Sequence, residues 1–330
     1  MKVVIVGFGF MGMTHTMNIL KNPQVDWLGI VARNPDSVYQ KLNENTGNFS
    51  TGDLTAKDIS NINIYTDLGT CLETTKPDVC IISVHTALHF EMAKTALEAG
   101  VHVFVEKPFT LNISEGKQLI ALAREKNKIL MVAHVVRFMP MFEQLKSWIN
   151  NGNFGKLEFL SLSRFSGLPT WGQWREKQRD FGSSGGALFD LVIHDIDFAQ
   201  WVCGTPDKIE SQVLPGKLSN HDYISSLWKY EDSDLIVKIE GGNTFHSEYP
   251  FHAAFSARFE NASVHFSSMN SENITVSTDS DTTFIPAGDA GDGFAKEIDY
   301  FIECVKTNLQ PDKCTPESAL ESIHICYGHI

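Results

Sequence analysis

The stretch Val3-Val4-Ile5-Val6-Gly7-Phe8-Gly9-Phe10-Met11-Gly12 decides the fold. Its four leading apolar residues read as a strand buried on both faces, and residues 11–21 carry apolar side chains at helical spacing. Between them the glycines follow G-x-G-x-x-G, which in a strand–turn–helix context marks a dinucleotide-binding turn. Gly7 permits the tight turn, Gly9 lets backbone approach a pyrophosphate, and Gly12 lets helix and strand pack closely. Phosphate charge then falls on the helix N-terminus, so Gly7, Gly9, Phe10, Met11 and Gly12 form the expected cofactor cradle.

Further short apolar runs follow at residues 27–32, 79–84, 101–105 and 129–136, separated by helical patterns at 36–45, 88–99 and 113–127. Strands apolar on both faces belong to a parallel sheet covered by helices. After about residue 150 the pattern becomes alternation, at 157–163, 209–214, 223–230, 235–240, 252–259 and 263–267. One helical block, 187–203, interrupts these strands, 271–292 reads as polar loop, and helices at 294–307 and 316–327 close the chain. The expected class is α/β. A Rossmann doubly wound parallel sheet covers residues 1–128, and an α+β substrate-binding and oligomerisation domain with a large, mostly antiparallel open sheet covers 129–330.

The 330 residues, 42% of them hydrophobic, suffice for two ordinary cores. A formal net charge of −13 argues against general binding to nucleic acid or anionic membranes, both of which need a positive field. The six cysteines show no C-x-x-C pair and no short framework, which predicts reduced, mostly buried thiols. The apolar start runs directly into Gly7, Gly9 and Gly12 rather than a cleavage site, and no stretch reaches the length of a membrane span. A cytoplasmic protein is the expectation.

At the end of the second strand, NAD-specific sites place an acid that binds the ribose 2′-hydroxyl. Here that place holds Ala32, followed by Arg33. A carboxylate would repel a 2′-phosphate, whereas a guanidinium pairs with it and stacks on adenine. NADP is therefore favoured over NAD, with stacking alone as the reading that would serve either cofactor.

One hundred residues after the glycine turn, Val103-Phe104-Val105-Glu106-Lys107-Pro108 ends an apolar run in a charged pair and a proline. Lys107 lies just past a strand's carboxyl end, where open α/β sheets bind ligands, and its ammonium could stabilise a developing alkoxide. Asp190 and His194, spaced i, i+4 in a helical pattern, share one face and can act on one ligand. His194 has the side chain suited to proton transfer near neutrality, with Asp190 orienting the substrate or the imidazole. A metal site on Asp190, His194 and Asp197 is disfavoured because zinc prefers His and Cys and no second histidine stands beside this one, so no metal is expected.

Taken in order, the glycine turn, Ile82-Ser83-Val84-His85-Thr86-Ala87-Leu88-His89, Glu106-Lys107-Pro108, Ala133-His134-Val135-Val136-Arg137-Phe138-Met139-Pro140 and the block 185–197 resemble the Gfo/Idh/MocA family of glucose-fructose oxidoreductases and inositol dehydrogenases. The likeness covers nearly the whole chain, and five motifs in order are far more specific than one. Val84 departs from it, standing where the family usually carries proline. The resemblance implies hydride transfer between nicotinamide and a carbinol or carbonyl of a sugar, polyol or sugar derivative, with Lys107 touching substrate and nicotinamide. It also implies cofactor contacts at Ser83, His85, His89 and Glu106, the last on the nicotinamide ribose. His134, Arg137, Trp171 and Trp174 are the expected border of the substrate pocket. A homodimer or homotetramer is expected because an open sheet needs its outer face covered. Two other classes stay open: a sensor that binds nucleotide or sugar without turnover, and a glycosidase that uses held NAD for transient oxidation.

Overall fold

The computed structural model describes residues 1–42, 54–169, 184–270 and 272–330. They form two compact units. The first comprises Met1–His134 with Phe294–Leu320, and the second Val135–Gly293 with Glu321–Ile330.

In the first unit the strands are β1 (Lys2–Val6), β2 (Trp27–Val31), β3 (Asn63–Tyr65), β4 (Val79–Ile82), β5 (His102–Glu106) and β6 (Leu130–Ala133). They pair in the order β3-β2-β1-β4-β5-β6, every pair parallel. The helices between them are α1 (Phe10–Lys21), α2 (Asp36–Lys41), α3 (Ala56–Ile59), α4 (Leu68–Thr75), α5 (His89–Glu98) and α6 (Ile113–Glu125). Strand order reverses between β1 and β4, and that switch point is where a doubly wound sheet takes its ligand, outside the carboxyl ends of the strands. The expected Rossmann sheet is present. Its core holds Val4, Val6, Ile82, Val103 and Val105, all buried, as strands covered on both faces require. β3, α3 and α4 leave little trace in the sequence, since three residues reading Asn-Ile-Tyr and short, weakly periodic helices carry little pattern.

The second unit begins with α7 (Pro140–Asn151) and β7 (Leu157–Gly167), continues through α8 (Ile193–Cys203), and then adds β8 (Lys208–Leu214), β9 (Tyr223–Tyr230), β10 (Ser233–Phe245), β11 (His252–Phe259), β12 (Ser263–Ser267), β13 (Asn273–Ser277) and β14 (Thr282–Pro286). The sheet order is β14-β13-β12-β11-β7-β10-β9-β8, antiparallel except where β10 runs parallel to β7. This is the large, mostly antiparallel sheet the alternation predicted. The stretch 271–292 is not simply loop: β13 and β14 lie in it, β14 forming the polar sheet edge and β13 next to it alternating buried Ile274 and Val276 with half-buried Asn, Thr and Ser. The chain closes with α9 (Asp292–Thr307) and α10 (Pro316–Tyr327). Among the described residues no helix is long and apolar enough to cross a membrane. All six cysteines are free, five of them buried, as expected.

Candidate active site

The turn between β1 and α1 separates the duties of its three glycines. Gly7 has φ +93°, and a Cβ there would lie 2.5 Å from the Ser83 carbonyl oxygen. A Cβ on Gly12 would lie 2.3 Å from the Gly7 carbonyl oxygen. Both positions exclude a side chain for internal reasons. Gly9 is the opposite case, since a Cβ there would meet nothing within 4 Å. Its bare backbone serves no internal packing and leaves room for a ligand to approach. Gly9 also caps α1 without a side-chain hydrogen bond, and the first turn, containing Phe10 and Met11, carries no acid. The orphan N–H groups and the positive helix end remain for an anion, which fits a pyrophosphate. Ser83 Oγ donates to the carbonyl oxygens of Val6 and Gly7, at 3.2 and 3.1 Å, tying the turn to the end of β4. Serine here is thus also a brace.

At the end of β2 the Ala32 N–H donates to the Tyr65 carbonyl at 2.9 Å. Arg33 follows, exposed, as does His85 beyond β4. His89 behaves differently from the expectation. It is 1% exposed, and its Nδ1 and Nε2 face the carbonyl oxygens of Pro108 and Val84 at 2.9 and 3.1 Å. A fully buried ring spent on two backbone carbonyls braces the β4 and β5 loops against each other, so it is not a cofactor contact. Burial pushes its pKa down, and the carbonyl oxygens draw it back up.

Glu106 ends β5, and Lys107 follows, half-buried, at the carboxyl edge of the sheet, before a cis peptide bond to Pro108. The Glu106 carboxylate accepts from His15 Nε2 on α1 at 2.7 Å.

In the second unit, Gly185 and Gly186, with φ +91° and +71°, lead into a π-helical turn at Leu188–Val192 that runs on as α8. Asp190 lies in the π turn and His194 in the first turn of α8, both half-buried. The expected helical block over 187–203 is present, with its start wound as a π turn. Such i→i+5 turns are rare and concentrate at functional sites. Two buried forks clamp the helix on either side of His194. Arg164 of β7 meets both carboxylate oxygens of Asp195 at 2.9 Å, and Arg137 meets those of Asp197 at 2.8 and 2.6 Å. Ser322 Oγ also donates to Asp197, at 2.9 Å. Burial pushes the Asp195 carboxyl up, and the Arg164 guanidinium draws it back. Removing one partner of a buried pair of this kind costs about 3–5 kcal/mol, so the rotation of the helix that carries His194 is firmly set.

These forks also correct the expected pocket border. Arg137 is 1% exposed with its guanidinium on Asp197, which makes it a scaffold group rather than a substrate contact. His134 is equally buried and presents no open face. Trp171 and Trp174 lie outside the described residues. Among the described residues, the groups that come within metal-ligand distance of one another are His15, Glu106 and Glu297, not the Asp190–His194–Asp197 face. Glu297 went unnoticed in the sequence, although Phe294, Glu297, Ile298, Phe301 and Ile302 form one apolar stripe of α9 with a carboxylate in it.

Residues 1–134 match the family described as "Oxidoreductase family, NAD-binding Rossmann fold", and residues 142–265 match the GFO/IDH/MocA C-terminal domain. The chain belongs to the GFO/IDH/MocA family. Among curated relatives, D-glucoside 3-dehydrogenase of Escherichia coli (strain K12) is 31% identical over 46% of this chain and 43% of its own length. The scyllo-inositol 2-dehydrogenase (NAD(+)) of Bacillus subtilis (strain 168) is 26% identical over 73% of this chain and 71% of its own. This chain spans less than half the length of the first curated relatives it matches. A solved levoglucosan dehydrogenase, in complex with NADH and levoglucosan, superposes with TM-score 0.81 at 18% identity, covering 100% of this chain and 96% of that one, a likeness of fold.

Proposed function

We propose that the protein is a nicotinamide-dependent dehydrogenase or reductase acting on a carbinol or carbonyl of a sugar, polyol or sugar derivative. The observation that carries this reading is the bare Gly9 backbone on an uncapped, acid-free helix N-terminus at the switch point of the sheet. The cofactor supplies the hydride acceptor. Lys107 stabilises the substrate oxygen as negative charge grows on it, His194 takes the hydroxyl proton, and Asp190 orients the substrate or the imidazole. Glu106 meets the nicotinamide ribose. The sugar class is supported by the names of the relatives. A panel of sugars, inositols and sugar acids, offered with each oxidised cofactor and followed at the reduced-nicotinamide absorbance, tests it. Turnover on one class is expected, with stoichiometric release of reduced cofactor, which excludes transient oxidation by a glycosidase. Tight cofactor binding with no turnover on any class would instead favour a sensor.

NADP is the preferred cofactor in this proposal, because Ala32 offers no carboxylate and the exposed Arg33 can fork onto a 2′-phosphate. Such a charge-assisted pairing is worth about 1–3 kcal/mol at a partly exposed site. Calorimetric titration should show tighter NADP binding in the wild type, its selective loss in Arg33→Ala, and preference turned toward NAD in Ala32→Asp. Equal wild-type affinities would mean that Arg33 only stacks on adenine.

A homodimer or homotetramer is the proposed assembly. Leu214, Leu227, Ile236 and Phe284 of the second sheet are exposed, Phe284 at 67%, and pairing between subunits would cover apolar surface of this kind. Light scattering that reports only a 36.8 kDa species at micromolar concentration would reject this. Free thiols throughout support a reducing compartment, the cytoplasm.

A further inference from the structure

Behind the Glu106–Lys107 turn, His15 of α1, Glu106 of β5 and Glu297 of α9 form a buried trio whose ligand atoms all lie within 4.8 Å of one another. Its walls are apolar: Phe104 stands edge-on to the His15 ring at 5.3 Å and packs on Phe301 of α9 at 5.4 Å. Helix α9 is tied to the loop after α1 by the Asn22 amide, which donates to Asp299 at 2.7 Å. The hydrogen bonds inside the trio do not balance. His15 Nε2 lies 2.7 Å from Glu106 Oε1, while both carboxyl oxygens of Glu297, 0% exposed, have no hydrogen-bond partner. An ionised carboxylate is acceptor only, so Glu297 and Glu106 facing each other as two anions would have nothing to share. Two carboxyl groups within 4.8 Å of each other in a buried site disfavour double ionisation, and one proton between them turns an acceptor–acceptor clash into a strong hydrogen bond.

We propose that Glu297 is a neutral carboxylic acid that donates its proton to the Glu106 carboxylate, a positioning residue that holds Glu106 between two donors and thereby sets the turn carrying Lys107. The groups around it agree. The charged neighbour of Glu297 is Glu106, and burial first, then that like charge, pushes its carboxyl well above the ordinary range. The role in turnover rests on the function proposed above, whereas the protonation state does not.

Infrared spectroscopy of the wild-type protein at neutral pH should show the C=O stretch of a protonated carboxyl, sensitive to solvent deuterium exchange and missing in Glu297→Gln. That measurement needs no substrate, so its failure is distinct from failure of the proposed reaction. Gln keeps a neutral donor in the same shape, and Glu297→Gln should retain most of the wild-type kcat and cofactor affinity. Glu297→Leu removes the donor, and its kcat should fall by about 10²-fold through displacement of the turn, with cofactor binding still measurable. Thermal unfolding checks that each variant folds, and should Glu297→Leu fail, the infrared result and Glu297→Gln carry the test. Absence of the protonated band, or Glu297→Gln as impaired as Glu297→Leu, overturns the proposal. So does elemental analysis that finds a stoichiometric divalent metal in the purified protein, since a cation would then hold the trio.

Discussion

Lys107→Ala should take turnover to the limit of detection, a loss of at least about 10³-fold, while nicotinamide cofactor still binds measurably. The two effects separate because they reside at different places on the same sheet edge. In the proposed site the pyrophosphate cradle is backbone at Gly7, Gly9 and Gly12 with the end of α1, whereas Lys107 follows the end of β5. In the proposed reaction the ammonium acts where charge develops on the substrate oxygen, so its loss should fall on kcat rather than on cofactor affinity. Single-turnover kinetics with a substrate found in the panel, beside calorimetry with cofactor alone, make the comparison. A variant that keeps near wild-type turnover removes Lys107 from the chemistry.

His194→Ala should cost about 10²–10⁴-fold in the oxidation direction and change the form of the pH profile. An imidazole that accepts the hydroxyl proton must be neutral to do so, so wild-type oxidation declines as pH falls and the ring becomes protonated. In the variant that acid limb should vanish and the residual rate should rise with hydroxide. A uniform loss with the limb intact would mean that His194 only binds substrate. Folding is not at stake in this variant, because the helix is anchored by Asp195 on Arg164 and Asp197 on Arg137, pairs that His194→Ala leaves in place. The changed profile therefore reports the base itself.

Features that repeat or punctuate the chain locally were legible from residue order alone. Apolar runs with glycines at 7, 9 and 12 specify a strand, a turn and a helix within some twenty residues, and the parallel sheet follows from several such runs in succession. The half-buried strands from β7 to β12 were legible for the same reason, as period-two alternation over five or more residues. The positions of Lys107, at a strand end, and of Asp190 and His194, one helical turn apart, are also local facts. The edge strands β3 and β14 were not legible, because they have no fully buried residue to impose a period, and β13, though its Ile274 and Val276 are buried in alternation, is only five residues long among polar neighbours.

Which polar side chains are committed to partners inside the protein is a matter of contacts distant in sequence. A motif histidine at 89 and a motif arginine at 137 look alike in sequence to binding groups, yet one holds two backbone carbonyls and the other a buried aspartate. The start of the helical block at 187 likewise took a π turn that spacing alone cannot announce. Residues Phe294–Leu320 return to the first unit after the whole second sheet, bringing Glu297 to a strand whose end is nearly two hundred residues earlier in the chain. His15 and Glu106 are 91 residues apart. Periodicity states that a face is buried; it does not state against what. Hydrogen-bond satisfaction and the charge of a buried group depend on that second fact, and they exist only once the chain has closed on itself.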